Sequence, residues 1–292
     1  MAEVSKIQWT DSTFNPWRGC TKVSPGCKFC YAEKMSGRNP AVLGEWGPSG
    51  TRAIAAESYW REPVKWERAA HADGRRRRVF CASLADVFEG PETMPASDGG
   101  YSGDAFHSVP TLNNDWVAAA RERLFELITN TPHLDWLLCT KRPQNVLPLL
   151  GTYLHWTRQA WPANAWVGIS VEDQIRAEER LKHAAAIRAA GCPVVFVSAE
   201  PLLAAIDLRP WLDRERGVNW VIVGGESGGE ARTFDPMWGR LLHDQCGDAA
   251  VPFFFKQLGS NPVLSLKVKG KGGDLDDIPE DLRVREFPAT AA

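Results

Sequence analysis

Five short apolar runs recur at nearly regular intervals in the second half of the chain. They begin at residues 134, 165, 193, 219 and 252, so successive starts lie 31, 28, 26 and 33 residues apart. Each run is rich in β-branched or aromatic residues on both faces, which is typical of parallel strands covered by helices. Because one strand–helix repeat needs about 30 residues, this spacing predicts a parallel α/β fold.

A sixth run, residues 78–86, and a strand near the first cysteine bring the total to about seven strand–helix units. Helical patterns cover residues 114–130, 171–191 and 235–250, with Gly191 placed to end the second and Pro236 in the first turn of the third. We therefore predict a full or partial parallel (β/α) barrel of the TIM-barrel-like type. A doubly wound open sheet is the alternative.

The spacing also predicts how the chain is divided. Residues 1–259 form the barrel domain, and residues 260–292 form a polar, Gly-rich tail that we expect to lie loosely outside the core. The long gap between the runs at 78 and 134 predicts an insertion over about 89–112, rich in Gly, Pro and Ser. A second insertion is expected at about 36–60.

Composition indicates the class of protein and the compartment in which it is located. The chain has 292 residues, a net charge of −2 and thirteen tryptophans, which describe a soluble globular protein without a global basic field. The N-terminal sequence has no apolar signal region, and no run of eighteen apolar residues occurs. An odd number of cysteines, seven, then favours a reducing, cytoplasmic location.

Three of the seven cysteines lie within eleven residues, in the stretch "GCTKVSPGCKFCYAEK". Cys27 and Cys30 have C-x-x-C spacing, and "SPG" before Cys27 supplies a turn. Three interpretations are open. A zinc site would need a remote fourth ligand such as His71 or Cys81. A redox disulfide would leave Cys20 idle. A [4Fe–4S] cluster with three thiolates would leave one iron open.

A three-cysteine loop ending in C-x-aromatic-C, early in a partial barrel, resembles the radical S-adenosylmethionine superfamily. "CYAEK" is similar to the spore photoproduct lyase branch of that superfamily. The resemblance implies a [4Fe–4S] cluster held by Cys20, Cys27 and Cys30, whose open iron binds S-adenosylmethionine. It further implies reductive cleavage to a 5′-deoxyadenosyl radical and a position for Phe29 near the adenine.

A closer resemblance is to a phage-associated radical-SAM-like family long catalogued as a domain of unknown function. It is carried by eight blocks spanning residues 8 to 259, listed in order: "WTDSTFNPWRGC", "SPGCKFCYAEKMSGR", "SLADVF", "LCTKRP", "GISVEDQ", "SAEPLL", "VGGESG" and "PFFFKQLG". Two features depart from the superfamily. Six residues, not three, separate the first two cysteines, and "ASLADVFEG" replaces the Gly-Gly-Glu element after the second strand.

Polar side chains follow nearly every predicted strand, where parallel α/β folds bind ligands. The predicted cofactor-binding residues are Phe29, Ser83, Asp86, Ser170 and Glu172, and the predicted catalytic residues are Cys139, Glu200, Glu226 and Lys256. Caps and first-turn acids of helices produce a similar pattern. Glu200 and Glu226 would act as an acid–base pair or hold a cation. Cys139 would donate hydrogen to a product radical or be a buried core thiol.

The sequence thus predicts a radical S-adenosylmethionine enzyme of unknown reaction. Lys141, Arg142, Arg232 and Lys256 suit an anionic substrate, and the phage association favours DNA, RNA or a nucleotide. An electron donor such as flavodoxin or ferredoxin is an expected partner. The alternative is a zinc- or Fe–S-stabilised nucleic-acid-binding protein without radical catalysis, with "RRRR" at 75–78 as a local basic edge.

Overall fold

The structure, a computed structural model, describes residues 5–90, 115–263 and 268–289. The chain forms two compact units. The first comprises Met1–Val23, Cys30–Cys139 and Asn145–Ala165, and the second Ser24–Phe29, Thr140–Gln144 and Trp166–Ala292. Most of the insertion predicted over 89–112 lies outside the described residues.

Parallel strands form the core of the first unit. Strand β1 (Ser12–Thr13) pairs with β4 (Arg77–Cys81), which pairs with β5 (Leu134–Thr140); Val79 lies opposite Ser12 and Trp136. Strands β2 (Trp17–Arg18) and β3 (Ala53–Ile54) form a short antiparallel ribbon. The helices are α1 (Tyr31–Arg38), α2 (Pro40–Leu43), α3 (Glu57–Trp60), α4 (Glu62–Asp73), α5 (Asp115–Thr129) and α6 (Thr152–Thr157).

The second unit repeats the same architecture. Its strands are β6 (Ala165–Ser170), β7 (Val195–Ala199), β8 (Trp220–Gly224) and β9 (Phe253–Gln257), and each pairs in parallel with the next. Every residue of these four strands is buried, as expected for strands covered on both faces. The helices are α7 (Gln174–Leu181), α8 (Ala184–Ala189) and α9 (Pro236–Asp248).

The predicted fold class is confirmed. The described residues contain seven parallel strands, and within each unit the strands pair in the order in which they occur along the chain. A doubly wound sheet requires a reversal of strand order, whereas successive pairing is the pattern of a (β/α) barrel or half-barrel. The protein is therefore an α/β protein of the partial parallel barrel type.

Helix boundaries differ from the prediction at one place. The region 171–191 contains two helices because the backbone tightens after α7, where the amide of His183 bonds to the carbonyl of Arg180, three residues earlier. Gly191, at φ +103°, follows α8 as the predicted stop. Pro236 begins α9 as predicted, and Asp235 caps it by accepting from the amide of Met237.

The expectation of a loose tail is wrong. Ile278 and Leu282 are buried, and the amide of Phe255 in β9 bonds to the carbonyl of Val284 at 2.8 Å. The amide of Glu286 bonds back to Phe253, also in β9, at 2.9 Å. The tail pairs with β9 because the last strand of a sheet otherwise exposes unpaired backbone groups. The domain boundary at residue 259 stays a prediction.

Across the described parts of the chain, no helix has the length and apolar character needed to cross a membrane.

Candidate cysteine-loop site

The main chain around Cys20 is fixed in the first unit by the segment that follows β4. The amide of Gly19 donates to the carbonyl of Leu84, and the amide of Thr21 donates to Oε1 of Glu89, both at 3.0 Å. Glu89 also accepts from Arg52 at 2.8 Å, and both side chains of this ion pair are fully buried. Cys20 is thereby held near the carboxyl end of a parallel strand.

The insertion predicted at 36–60 is an ordered part of this site. Arg52, just before β3, donates to the hydroxyl of Thr21 at 2.8 Å, and the amide of Gly47 donates to the carbonyl of Cys20 at 3.1 Å. The insertion therefore contacts the carbonyl of Cys20 and the side chain of the next residue.

Cys30 lies at the N-cap of α1, and its carbonyl accepts from the amide of Lys34. A helix N-terminus favours a thiolate because the backbone dipoles point their positive ends toward it. The hydroxyl of Tyr31, the first residue of α1, donates to the carbonyl of Ser83 at 2.7 Å. This bond ties the end of the cysteine loop to the same post-β4 segment.

Cys27 belongs to the second unit, where it closes the 3₁₀ turn Pro25–Cys27. Its amide bonds to the carbonyl of Ser24 at 2.9 Å, which confirms the turn predicted from "SPG". The amide of Gly26 donates to Oε1 of Glu172 at 3.0 Å, and Glu172 is buried two residues after β6. The Cys27 turn is therefore held at the carboxyl end of β6.

Glu172 has partners on both carboxylate oxygens. Oε2 accepts from Arg180 at 2.8 Å, and the same guanidinium donates to the carbonyl of Ser170 at 2.7 Å. Burial alone would raise the pKa of Glu172, but Arg180, Ser24, Lys141 and the amide of Gly26 together lower it. A carboxylate held in its charged form by a buried cation is a rigid anchor for the loop.

Arg232 also contacts the Cys27 turn. It donates to the carbonyl of Pro25 at 2.8 Å, and its guanidinium carbon lies 5.3 Å from the ring centroid of Phe29. Both oxygens of Glu226 accept from Arg232, at 2.6 and 2.8 Å. Glu226 thus orients a cation against the cysteine loop.

Glu200 and Glu226, predicted to act as an acid–base pair or to hold a cation, each form an ion pair with a basic side chain. Glu200 bonds to Lys256, and Glu226 bonds to Arg232. The turn that carries Glu226 needs glycine because the backbone at Leu258 lies very close to it. A Cβ on Gly225 would lie 2.2 Å from the carbonyl oxygen of Leu258.

The remaining predicted residues lie in the first unit. Ser83 accepts from the side-chain amide of Asn15 at 3.1 Å, and Asp86 accepts from the amide of Phe88 at 3.0 Å. Cys139 is partly exposed near the end of β5, in contrast to a fully buried core thiol. Cys81 is fully buried. Its burial is the main cause of its raised pKa, and the nearby Cys139 raises that pKa further.

The predicted site residues therefore divide between the two units. Residues 20, 30, 83, 86 and 139 belong to the first, and residues 27, 29, 170, 172, 200, 226 and 256 to the second.

The arginine run 75–78 does not present a bare basic edge. Each of its side chains pairs with an aspartate; the partners are Asp11 for Arg75 and Arg78, Asp135 for Arg76 and Asp73 for Arg77.

The cysteine loop fits an iron–sulfur cluster in its donor chemistry. Cys20, Cys27 and Cys30 are partly exposed thiols, none in a disulfide, and soft thiolates are the ligands such clusters require. In the ranges that the structure describes, no three His, Cys, Asp or Glu side chains are grouped as a metal site. The two residues considered above as a remote fourth zinc ligand have other surroundings. Cys81 is buried in β4, and His71 packs against His133.

Sequence reasoning missed the supporting residues of the loop. Arg52, Glu89 and Arg180 are buried charges whose partners are far away in sequence, so no local pattern marks them.

The chain matches the family described as "Protein of unknown function (DUF5131)" over residues 4–96 and 102–280. It belongs to that family. No curated protein matches the chain. Among solved structures, it is similar to two mutants of spore photoproduct lyase, in which one cysteine is replaced by serine or by alanine. The TM-scores are 0.44 and 0.43, with 13% and 12% identity over 83% of this chain. The chain spans 62% of the length of each of those structures.

Proposed function

We propose that this member of the family is a radical S-adenosylmethionine enzyme whose [4Fe–4S] cluster is held by Cys20, Cys27 and Cys30. When bound, the cluster supplies the electron for reductive cleavage of S-adenosylmethionine to a 5′-deoxyadenosyl radical that abstracts hydrogen from the substrate. The observation that carries the proposal is the bond between Gly26 and Glu172, which anchors the Cys27 turn at the carboxyl end of β6. Ligands of parallel barrels bind at that end of the strands.

The residues around the loop have distinct roles in this proposal. Glu172 and Arg180 fix the position of the Cys27 turn through a buried ion pair. Arg232 makes a second contact with the loop and lies over the ring of Phe29, the residue proposed to lie near the adenine. Residues that contact a metal-binding loop in this way keep its ligand side chains in place while a substrate binds next to them.

Ser83, Asp86 and Ser170 stay proposed cofactor-binding residues because Ser83 and Asp86 follow β4 and Ser170 is the last residue of β6. Cys139 is the proposed hydrogen donor, and its partial exposure near the end of β5 supports access from outside the core. The proposed substrate is a nucleic acid or nucleotide, the proposed electron donor is a flavodoxin or ferredoxin, and the proposed location is the cytoplasm.

The test is cleavage of S-adenosylmethionine by the anaerobically reconstituted full chain. With dithionite as reductant, the protein is expected to release 5′-deoxyadenosine, measured by liquid chromatography and mass spectrometry. A Cys139→Ala variant should still release it, because that thiol is proposed to act after cleavage. Stoichiometric zinc, no charge-transfer absorption and no 5′-deoxyadenosine would instead identify the cysteine loop as a structural metal site.

A further inference from the structure

Two histidines lie side by side at the start of β5. His71 is in the last turn of α4, and His133 is the residue directly before β5. Their ring centroids are 4.8 Å apart, and the ring planes are nearly perpendicular, at 86°. Both rings can be reached from solvent, since His71 is exposed and the side chain of His133 is 38% exposed. The two imidazoles are therefore presented together at the surface of the first unit.

Glu67 holds the ring of His133 in a defined orientation. Its Oε1 lies 2.6 Å from Nδ1 of His133, and its Oε2 accepts from the main-chain amide of the same residue at 3.0 Å. Glu67 and His71 are four residues apart on α4, so they lie on one face of that helix. Both oxygens of the carboxylate are used by His133, and Glu67 therefore orients a ring instead of binding a ligand itself.

The bond to Glu67 determines which nitrogen of His133 carries a lone pair. A carboxylate at Nδ1 favours the neutral ring with its proton on Nδ1, which leaves the lone pair on Nε2. Among the described residues, nothing bonds to Nε2 of His133, and neither ring nitrogen of His71 makes a hydrogen bond. A histidine with a carboxylate on one nitrogen and a lone pair on the other is the common form of a metal-binding histidine.

The separation of the two rings fits a shared metal ion. With a Zn–N distance of about 2.1 Å and tetrahedral angles, two imidazoles bound to one ion have ring centroids roughly 5 Å apart. The observed separation of 4.8 Å is close to that value. Imidazole nitrogens suit zinc, nickel and copper, whereas magnesium and calcium prefer oxygen ligands. The pair of rings therefore favours a transition-metal ion.

The place is distinct from the cysteine loop, and its basic neighbour is compensated. Arg77, whose amide donates to the carbonyl of His133 at 3.1 Å, is paired with Asp73 at 2.6 Å. The histidines lie at the amino end of β5, whereas Tyr31, at the end of the cysteine loop, is bonded to the segment that follows β4. Since β4 and β5 are parallel, the two places are at opposite ends of these strands.

We propose that His71 and His133 bind a divalent transition-metal ion, represented by Zn²⁺, with water as the other ligands and Glu67 as the residue that positions His133. The described parts of the chain group no three His, Cys, Asp or Glu side chains as a metal site, so the protein supplies two ligands. The ion would join the end of α4 to the start of β5. This site does not depend on the proposed activity or on cluster binding by the cysteine loop.

The first test is calorimetric titration of the full chain with Zn²⁺ alone. His71→Ala should bind one ion fewer than the wild-type protein, whereas His155→Ala, at an exposed histidine of α6, should bind zinc as the wild type does. Cys27→Ala should retain the histidine site, which separates it from any zinc held by the cysteine loop. The same number of ions with the same affinities in His71→Ala and wild type would overturn the proposal.

Nitrogen NMR of the imidazole rings tests the ligand atoms directly, at about pH 8, above the ordinary titration range of histidine. Without metal, the proton of His133 should be on Nδ1. Zn²⁺ should then shift Nε2 of His133 and one ring nitrogen of His71, but not the ring of His155. A proton on Nε2 of His133, or rings of His71 and His133 that do not respond to zinc, would contradict the proposal.

A second pair of variants tests the positioning role of Glu67. Glu67→Gln should weaken the preference of His133 for the form protonated on Nδ1, and zinc affinity should fall about tenfold or more. Glu62→Gln is the matched control, because Glu62 lies at the other end of α4 and pairs with Lys65. It should change neither the NMR signals of His133 nor zinc binding. Equal effects of the two substitutions would rule out the role of Glu67.

Discussion

The amide of Gly26 donates to Oε1 of Glu172 at 3.0 Å, which joins the turn before Cys27 to a carboxylate 146 residues later in the chain. That carboxylate is buried and pairs with Arg180. The position of one cysteine is therefore determined by a buried ion pair at the end of a parallel strand.

Replacement of Glu172 by glutamine should destabilise the protein strongly. The change leaves Arg180 buried without its countercharge, so we expect the free energy of unfolding to fall by about 3–5 kcal/mol in urea denaturation. Glu178→Gln is the matched control, because Glu178 is exposed on α7 and bonds only to Gln174 among the contacts described. It should change stability by less than about 0.5 kcal/mol. Equal effects of the two substitutions would contradict the anchoring role.

The stabilisation by Glu172 should depend on pH. Its pKa in the folded protein is lowered from 4.5, since the opposing effect of burial is outweighed by Arg180 and the hydrogen bonds to Ser24 and Gly26. A carboxylate with a depressed pKa stabilises fully above its unfolded pKa and loses that contribution as pH falls through its folded pKa. The difference in unfolding free energy between wild type and Glu172→Gln should therefore be constant above about pH 5 and shrink below pH 4.5. A difference that grows as pH falls would be inconsistent with this assignment.

Gly26 should not tolerate a side chain. A Cβ there would lie 3.0 Å from Cδ of Glu172, so in Gly26→Ala the buried carboxylate or the turn must shift by a few tenths of an ångström. We expect a loss of about 1–3 kcal/mol in unfolding free energy. Gly37→Ala adds the same methyl group on α1, where nothing lies within 4 Å, and should be neutral or slightly stabilising. A Gly26→Ala protein as stable as wild type would show that the turn is not held tightly.

The seven cysteines should form two groups that differ in their reactivity toward an alkylating reagent. Burial raises the pKa of Cys192 and Cys246 to about 12 and that of Cys81 well above its ordinary value, so these thiols hold almost no thiolate at pH 8. Iodoacetamide should label the partly exposed residues, which are Cys20, Cys27, Cys30 and Cys139. Peptide mass spectrometry checks this, with the urea-unfolded protein as the control in which all seven react. Rapid labelling of Cys192 or Cys246 in the folded protein would contradict the burial pattern.

The fold was largely predictable because its parallel strands are buried on both faces. Runs such as Val195–Ala199 and Trp220–Gly224 are buried throughout and mainly apolar, and their spacing along the chain reflects one repeating unit. The turn at "SPG" and the stop at Gly191 were also readable, because both depend on local backbone preferences.

The sequence does not show which side chains the predicted site residues contact. Glu200 pairs with Lys256 and Glu226 with Arg232, and strand pairing brings the first two together from 56 residues apart. The tail was misjudged for a related reason: a polar composition does not reveal that β9 needs backbone partners along its outer edge.

The central claim is that Cys20, Cys27 and Cys30 bind an iron–sulfur cluster, and the most direct measurement is iron and sulfide content after anaerobic reconstitution. The wild-type protein should hold about four irons and four sulfides per chain, with the charge-transfer absorption of a [4Fe–4S] cluster. Cys27→Ala should lose the cluster while Cys246→Ala, at a buried cysteine of α9, retains it. Full iron content in Cys27→Ala, or zinc in place of iron in the wild-type protein, would contradict the claim.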